Sequence, residues 1–403
     1  MERRVRDHPA RPAHPARPAR VESVDVLRGI VMILMALDHV RDYFGTADNP
    51  VDVAHASAAL FFTRWITHLC APTFFLLTGV GASLARARRP PANLARFLIA
   101  RGAWLVVLEL TVLRCFGYQF NVDYRVTMLV ILWALGWAMI TLGLLAWLPA
   151  AAVAAFGVAL IALHNLFDSV RAASFGALAP LWTILHAQGF VSSNPTHTVF
   201  VAYPIVPWIG VTAAGYGLGL VWTWAPERRR VFLQRLGLAL ILAFVVLRLV
   251  NVYGDPARWS AQSTTIRTAL SFLNTTKYPP SLLYLLMTIG PAMLILSALE
   301  RAPSRGLAPA LTFGRVPLFY FMLHLPLIHL LAVAFCAVRY HAIHWMFESP
   351  TLARYPFTRP PGWGYSLPVV YAIWIGLVVA LYPLCRWFAD VKRRRSDWWL
   401  SYL

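Results

Sequence analysis

The feature that most constrains this chain is a series of ten apolar stretches, each long enough to cross about 30 Å of hydrocarbon. They lie near residues 24–44, 57–85, 97–117, 126–147, 149–166, 198–222, 232–252, 279–299, 311–338 and 366–388. In lipid no water satisfies exposed backbone N–H and C=O groups, so such segments must be helices that close their hydrogen bonds internally. The expected fold is all-α: a polytopic membrane protein, a bundle of about ten transmembrane helices. Composition points the same way, because 59% of the 403 residues are hydrophobic and only 13% are charged, outside the range of a soluble domain. Leu148-Pro149 joins the fourth and fifth stretches tightly, and Pro suits both a turn and the first position of a new helix.

A formal charge of +19 raises the question of nucleic acid, but the Lys and Arg residues sit in short runs between apolar segments rather than on one soluble face. That pattern excludes a nucleic-acid binder and reads as topology. If the N-terminus is cytoplasmic, 23 basic residues fall on the inside: six Arg in the tail, five from Arg86 to Arg101, Arg228, Arg229, Arg230 and Arg235, three from Arg301 to Arg315 at the eighth-to-ninth connection, and five at the C-terminus. Eight fall outside, namely Arg125, Arg171, Arg258, Arg267, Lys277, Arg339, Arg354 and Arg359. An even number of spans, both termini in the cytoplasm and residence in a bacterial inner membrane follow as expectations. Residues 1–22 form an Ala/Arg/Pro tail expected to be disordered, 23–390 a single transmembrane domain, and 391–403 a basic, aromatic C-terminus. Cys70, Cys115, Cys336 and Cys385 lie in or beside apolar segments without paired spacing, so neither a disulfide nor a thiolate zinc site is expected.

Ionisable side chains at hydrocarbon depth are costly, and each is a functional candidate until a partner explains it. The first span holds the densest set: Asp25, Arg28, Asp38, His39, Arg41 and Asp42. Arg28 and His39 are eleven residues apart, which brings them within about 20° of one helical face and about 16 Å apart along it.

Arg, ten residues, then His in the first span resembles the motif of the acyltransferase-3 membrane family. The wider run from Asp25 to Tyr43 resembles a bacterial membrane family grouped with the catalytic domain of heparan-α-glucosaminide N-acetyltransferase. That likeness continues through Arg64-Trp65-Ile66-Thr67-His68-Leu69-Cys70-Ala71-Pro72, Tyr203-Pro204-Ile205-Val206-Pro207-Trp208 and Asn274-Thr275-Thr276-Lys277-Tyr278-Pro279-Pro280-Ser281. It ends with Phe313-Gly314-Arg315-Val316-Pro317, His324, His329 and the closing Trp398-Trp399-Leu400-Ser401-Tyr402-Leu403. The animal heparan enzyme keeps its catalytic His in the loop after the first span, ahead of a Pro followed seven residues later by Gly. Pro72 and Gly79 keep that spacing, but Ser57-Ala58-Ala59-Leu60 stands where the His would be, so His39 is the better carrier here.

The resemblance implies transfer of an acyl group, acetyl in the family, from acyl-CoA as co-substrate, without a metal, to a glycan or lipid-linked acceptor. Such chemistry needs a base near neutral pKa, a group to orient it and donors for the oxyanion. His39 fits the base, and Asp38 or Asp42 is expected to hold its second nitrogen, with Asp42 at i+3 nearer its face. The alternative is that both carboxylates neutralise Arg41 or Arg64. Arg28 and Arg315 are the candidate coenzyme contacts, although Arg28 also has the spacing for an ion pair with Asp25. Glu109 is expected to pair with Arg114, His39 or His68, and His68 either to act in the site or to bond a carbonyl freed by Pro72. Asn274, Lys277, Tyr278, His324 and His329 are candidate acceptor-binding residues; the two His, five apart, do not share a metal-binding face. A proton-coupled transporter or flippase is the competing reading, and a homodimer remains open. The topology has a direct check. A Cys introduced near Ser193 should be labelled from outside and one near Arg229 should not, and the reverse pattern would overturn the assignment.

Overall fold

The computed structural model describes residues 21–402 apart from 47, 195, 302, 303 and 396, so all but the end of the expected disordered tail lies outside the described residues. The chain opens with α1 (Glu22–Phe44), α2 (Ala58–Thr67), α3 (Cys70–Arg86) and α4 (Pro91–Leu108), which continues as a π-helix over Glu109–Tyr118. After β1 (Val126–Leu129) come α5 (Ile131–Leu144), α6 (Ala150–Leu163), α7 (Ala179–Leu185), β2 (Gly189–Ser193) and β3 (Thr198–Val201). The remaining helices are α8 (Ile205–Leu218), α9 (Pro226–Val250), α10 (Thr265–Leu273), α11 (Leu282–Leu299), α12 (Ala308–Arg315), α13 (Pro317–Tyr340) and α14 (Leu367–Arg394).

The protein is an all-α polytopic membrane fold. Among the described residues seven helical segments are long and apolar enough to cross a membrane: Ala58–Arg86, Ala150–Phe167, Ile205–Thr223, Pro226–Val250, Leu282–Leu299, Pro317–Tyr340 and Leu367–Arg394. The other three expected spans are helical as well, but none is a simple apolar rod. α1 carries too many ionisable groups, α4 changes to a π-helix at Glu109, and α5 has only 14 residues. Two expected boundaries are corrected, because Val126–Leu129 and Thr198–Val201 are strands rather than the starts of the fourth and sixth spans. They pair in parallel, β2 adds antiparallel to β3, and the order is β1-β3-β2. Pro204 explains the delayed start of α8: it disfavours helical geometry at Tyr203 and then caps a helix beginning at Ile205.

α1 is the hub, touching α2, α3, α11, α12, α13 and α14. Lipid tails are as apolar as Leu, so helices in a membrane associate through close packing and polar contacts rather than a hydrophobic drive. Glycines supply the close approach in pairs: Gly79 with Gly215 between α3 and α8, Gly102 with Gly136 between α4 and α5, and Gly237 with Gly290 between α9 and α11. The tightest is α1 on α12, where a Cβ on Gly29 would stand 1.7 Å from the Ala310 oxygen and one on Gly314 1.7 Å from the Asp25 oxygen.

Four long connections gather at the end of the bundle where α1 finishes. Asn121 donates to Phe347 O and Ser349 Oγ, Leu282 N to Asn165 Oδ1, and Asn274 Nδ2 to Val51 O. Two buried arginines organise this end. Arg248 donates to the carbonyls of Ala257, Ser271, Phe272 and Asn274, closing the end of α10, and Arg114 donates to the carbonyls of Asn121 and Val126. The glycine contacts carry a prediction. Gly29→Ala should destabilise the detergent-purified protein by about 1–3 kcal/mol through forced separation of α1 and α12. Gly81→Ala, whose Cβ would meet nothing within 4 Å, should leave the melting midpoint unchanged or slightly raised.

Candidate functional site

The last two turns of α1 carry the ionisable cluster of the candidate site, and their position is set from both sides. Arg41 lies in the last turn, where a cation suits the negative end of the helix dipole. The open carbonyls beyond it are taken by the connection before α14: Arg359 donates to Asp42 O at 2.8 Å, Trp363 Nε1 to Tyr43 O at 2.8 Å and Tyr365 N to Phe44 O at 2.8 Å. Lower down, Trp374 Nε1 of α14 donates to Ile33 O and Cys70 Sγ of α3 to Val31 O. A helix gripped this way presents its side chains at defined positions.

Asp38 is buried and is held by two guanidiniums. Arg64 of α2 pairs with Oδ2, and Arg41 lies 2.9 Å from Oδ1. Arg41 also bonds Asp42 at 2.5 Å, and the Asp42 side chain is half exposed. Both carboxylates are therefore engaged with arginine, and neither is the partner of the His39 Nδ1. That partner is His324 of α13, whose Nε2 lies 2.7 Å from His39 Nδ1. The expected carboxylate gives way because it is claimed by the nearby cations, whereas His324 reaches across from a helix 285 residues later.

The proton order of this pair follows from its surroundings. His324 Nδ1 faces the Tyr320 and Phe321 carbonyls at 3.1 and 2.9 Å, and a carbonyl can only accept, so Nδ1 carries the proton. In a neutral ring Nε2 then accepts, and His39 Nδ1 donates to it. The lone pair of His39 is left on Nε2. His324 is fully buried and stacks on Tyr320 at 5.1 Å, while His39 remains partly accessible. This arrangement is a partly accessible imidazole oriented by a buried one.

Tyr278 reaches Tyr203 with the two hydroxyls 3.4 Å apart, and Tyr203 stacks on Trp208 of α8. The Lys277 ammonium lies 5.1 Å from the Tyr278 ring centre and acts electrostatically on Asp38, His39 and His68. Asn274 ties its own segment to Val51 and, through its carbonyl, to Arg248. His68 is buried; its carbonyl accepts from Tyr284 at 2.9 Å, and its Nδ1 has no hydrogen-bond partner among the described residues, so it does not take up the carbonyl expected near Pro72. Glu109 also departs from expectation. It pairs with none of Arg114, His39 or His68, but accepts from Leu132 N at 2.8 Å at the start of α5, where helix N-terminal amides attract a carboxylate. His329 bonds Met346 O at 2.7 Å and stacks on Phe120, away from the His39 ring.

At the opposite end of α1, Arg28 makes the ion pair with Asp25 at 2.8 Å and also reaches Gly314 O at 3.3 Å. Arg315 is next to Gly314 and pairs with Glu22 at 3.7 Å, so both candidate coenzyme contacts meet where α1 crosses α12. Arg41, Arg64 and Tyr203 belong to the site although sequence reasoning treated them as charges to be neutralised or as part of a motif. Arg64, an ionisable group deep in the second apolar stretch, carried the signal that would have found it.

A search of curated proteins returned no match. The family model described as heparan-alpha-glucosaminide N-acetyltransferase, catalytic, matches residues 20–254, which is more than half of the chain and includes His39, His68 and Glu109. With the helical bundle and the buried polar centre on α1, that match shows that the chain belongs to the heparan-alpha-glucosaminide N-acetyltransferase catalytic family.

Proposed function

We propose that this chain takes an acyl group, acetyl in keeping with its family, from cytosolic acyl-CoA and passes it to a glycan or lipid-linked sugar at the outer face of a bacterial inner membrane. Both termini are then cytoplasmic, the Arg28 end faces the donor and the His39 end faces the acceptor. The observation that carries this reading is the His39–His324 pair, which leaves a lone pair on His39 Nε2 and holds the ring by its other nitrogen. This is the logic by which an oriented imidazole serves as general base in acyl transfer, with a second imidazole in the place usually held by a carboxylate.

In the direct route His39 Nε2 takes the proton from the acceptor hydroxyl or amine as that atom bonds the thioester carbonyl carbon. The C–S bond then breaks, and the departing thiolate receives the proton from His39. Arg41 and Arg64 lie beside the base as cationic donors able to stabilise negative charge that develops on the carbonyl oxygen. At the other end Arg28 and Arg315 offer guanidiniums for the phosphates of the coenzyme, with Arg28 exchanging part of its contact with Asp25.

Three variants test the base. His39→Ala and His39→Gln should each lower acyl transfer by about 10²–10⁴-fold, because an amide keeps hydrogen bonding without basicity. The melting midpoints should stay close to wild type. His68→Ala is the companion: full activity in His39→Gln, or loss confined to His68→Ala, would remove His39 from this role. For the donor, Arg28→Lys should weaken acyl-CoA binding despite keeping the charge, since an ammonium cannot replace a planar fork. Unchanged affinity in folded Arg28→Lys would leave Arg28 with only its ion pair to Asp25.

A further inference from the structure

Charges around His39 do not balance. Arg41, Arg64, Lys277 and Arg359 stand against Asp38 and Asp42 at this end of α1. Arg64 is matched by Asp38, and Arg359 is occupied with the carbonyls of Asp42 and Gly45. Asp255, the remaining carboxylate on the Lys277 segment, accepts from the neutral groups of Thr276 and Ser281, so its charge offsets one cation without forming an ion pair with Lys277. Lys277 itself has a ring contact with Tyr278, and among the described residues no carboxylate lies within ion-pair distance of it. Arg41 is more than nine-tenths buried, and its Nη1 has no hydrogen-bond partner among the described residues. A buried guanidinium donor without an acceptor is costly, and a surplus of about one positive charge in a low-dielectric bundle is costlier still.

We infer that the acceptor carries a phosphate ester and that Lys277 and Arg41 seat this group beside His39. A phosphate brings about −1.5 to −2 charges and three acceptor oxygens, which answers both the surplus and the orphan donor. A neutral sugar brings neither. The tyrosine hydroxyls of Tyr203 and Tyr278, 3.4 Å apart, stand next to Lys277 as neutral partners for the rest of a polyhydroxy ligand. The inference rests on the acyl-transfer reading for the meaning of the ligand, but the site is testable without turnover.

The test uses the purified full-length protein in detergent and measures the shift in melting midpoint against ligand concentration. Glucose 1-phosphate is expected to stabilise wild type, while glucose at the same concentrations does not and inorganic phosphate does so only weakly. Lys277→Gln should weaken the glucose 1-phosphate effect about tenfold or more, as loss of a charge-assisted contact requires. Lys277→Arg should restore most of it. An unliganded midpoint like that of wild type certifies that each variant is folded. His39→Gln should still bind glucose 1-phosphate, so loss of transfer without loss of binding separates the base from the subsite. Equal stabilisation by glucose and glucose 1-phosphate, equal stabilisation by inorganic phosphate, or unchanged binding in Lys277→Gln would each overturn the inference.

Discussion

The buried ion pair of Asp38 with Arg64 and Arg41 is the interaction on which the arrangement around His39 depends. A carboxylate in the middle of an apolar bundle is tolerated only with partners, and breaking such a pair by removing one member costs roughly 3–5 kcal/mol. Here the two partners come from different places, Arg41 from α1 itself and Arg64 from α2. The pair therefore does more than neutralise a charge: it locks α1 to α2 in rotation and height. His39, the next residue along α1, is turned toward α13 and His324 as a result. Both carboxylates that a sequence places near His39 are thereby removed as its partner.

The same requirement, that polar groups in lipid find partners within the protein, explains the rest of this end of the bundle. Arg248 is a buried cation that bonds four carbonyls, and Arg114 is one that bonds two carbonyls together with the Asp123 carboxylate at 3.3 Å; each converts a connection into a fixed wall. The connection before α14 does this for α1 by capping its last carbonyls with Arg359, Trp363 and the Tyr365 amide. At the other end the α1–α12 contact is set by glycine against backbone, with Arg28 bridging to Gly314. Close packing without side chains places one end of α1, and polar satisfaction places the other. A rigid helix about 16 Å long between Arg28 and His39 then links the two ends of the proposed reaction path.

An imidazole as the orienting group has a chemical consequence. A carboxylate partner stabilises the imidazolium that forms during catalysis through its permanent charge, whereas His324 offers only a lone pair and a fixed direction. The countercharge must come from elsewhere, and the negative groups that act on His39 are Asp38 and Asp42. Both are shared with Arg41, so the field at His39 depends on how those cations are occupied. An anionic acceptor seated on Arg41 and Lys277 would supply the missing negative charge only when substrate is present, coupling the basicity of His39 to binding.

The sequence by itself determined that this is a helical membrane bundle, because runs of about twenty apolar residues admit no other backbone solution in lipid. It also pointed to the first span as the candidate site, since ionisable residues at depth stand out against apolar surroundings, and it singled out His39, Arg28 and the residues from Asn274 to Tyr278 as candidates. It placed helices at all ten expected spans but missed the strands Val126–Leu129 and Thr198–Val201, whose pairing brings together segments about seventy residues apart. Partners were the part it could not supply. Helical spacing pointed from His39 to Asp42, and composition pointed from Glu109 to nearby cations, yet His39 bonds His324 and Glu109 caps α5. The physical reason is that local periodicity fixes only which residues share a face of one helix. Which faces meet is decided by long-range competition among polar groups for a limited set of partners, and only the tertiary structure resolves that competition.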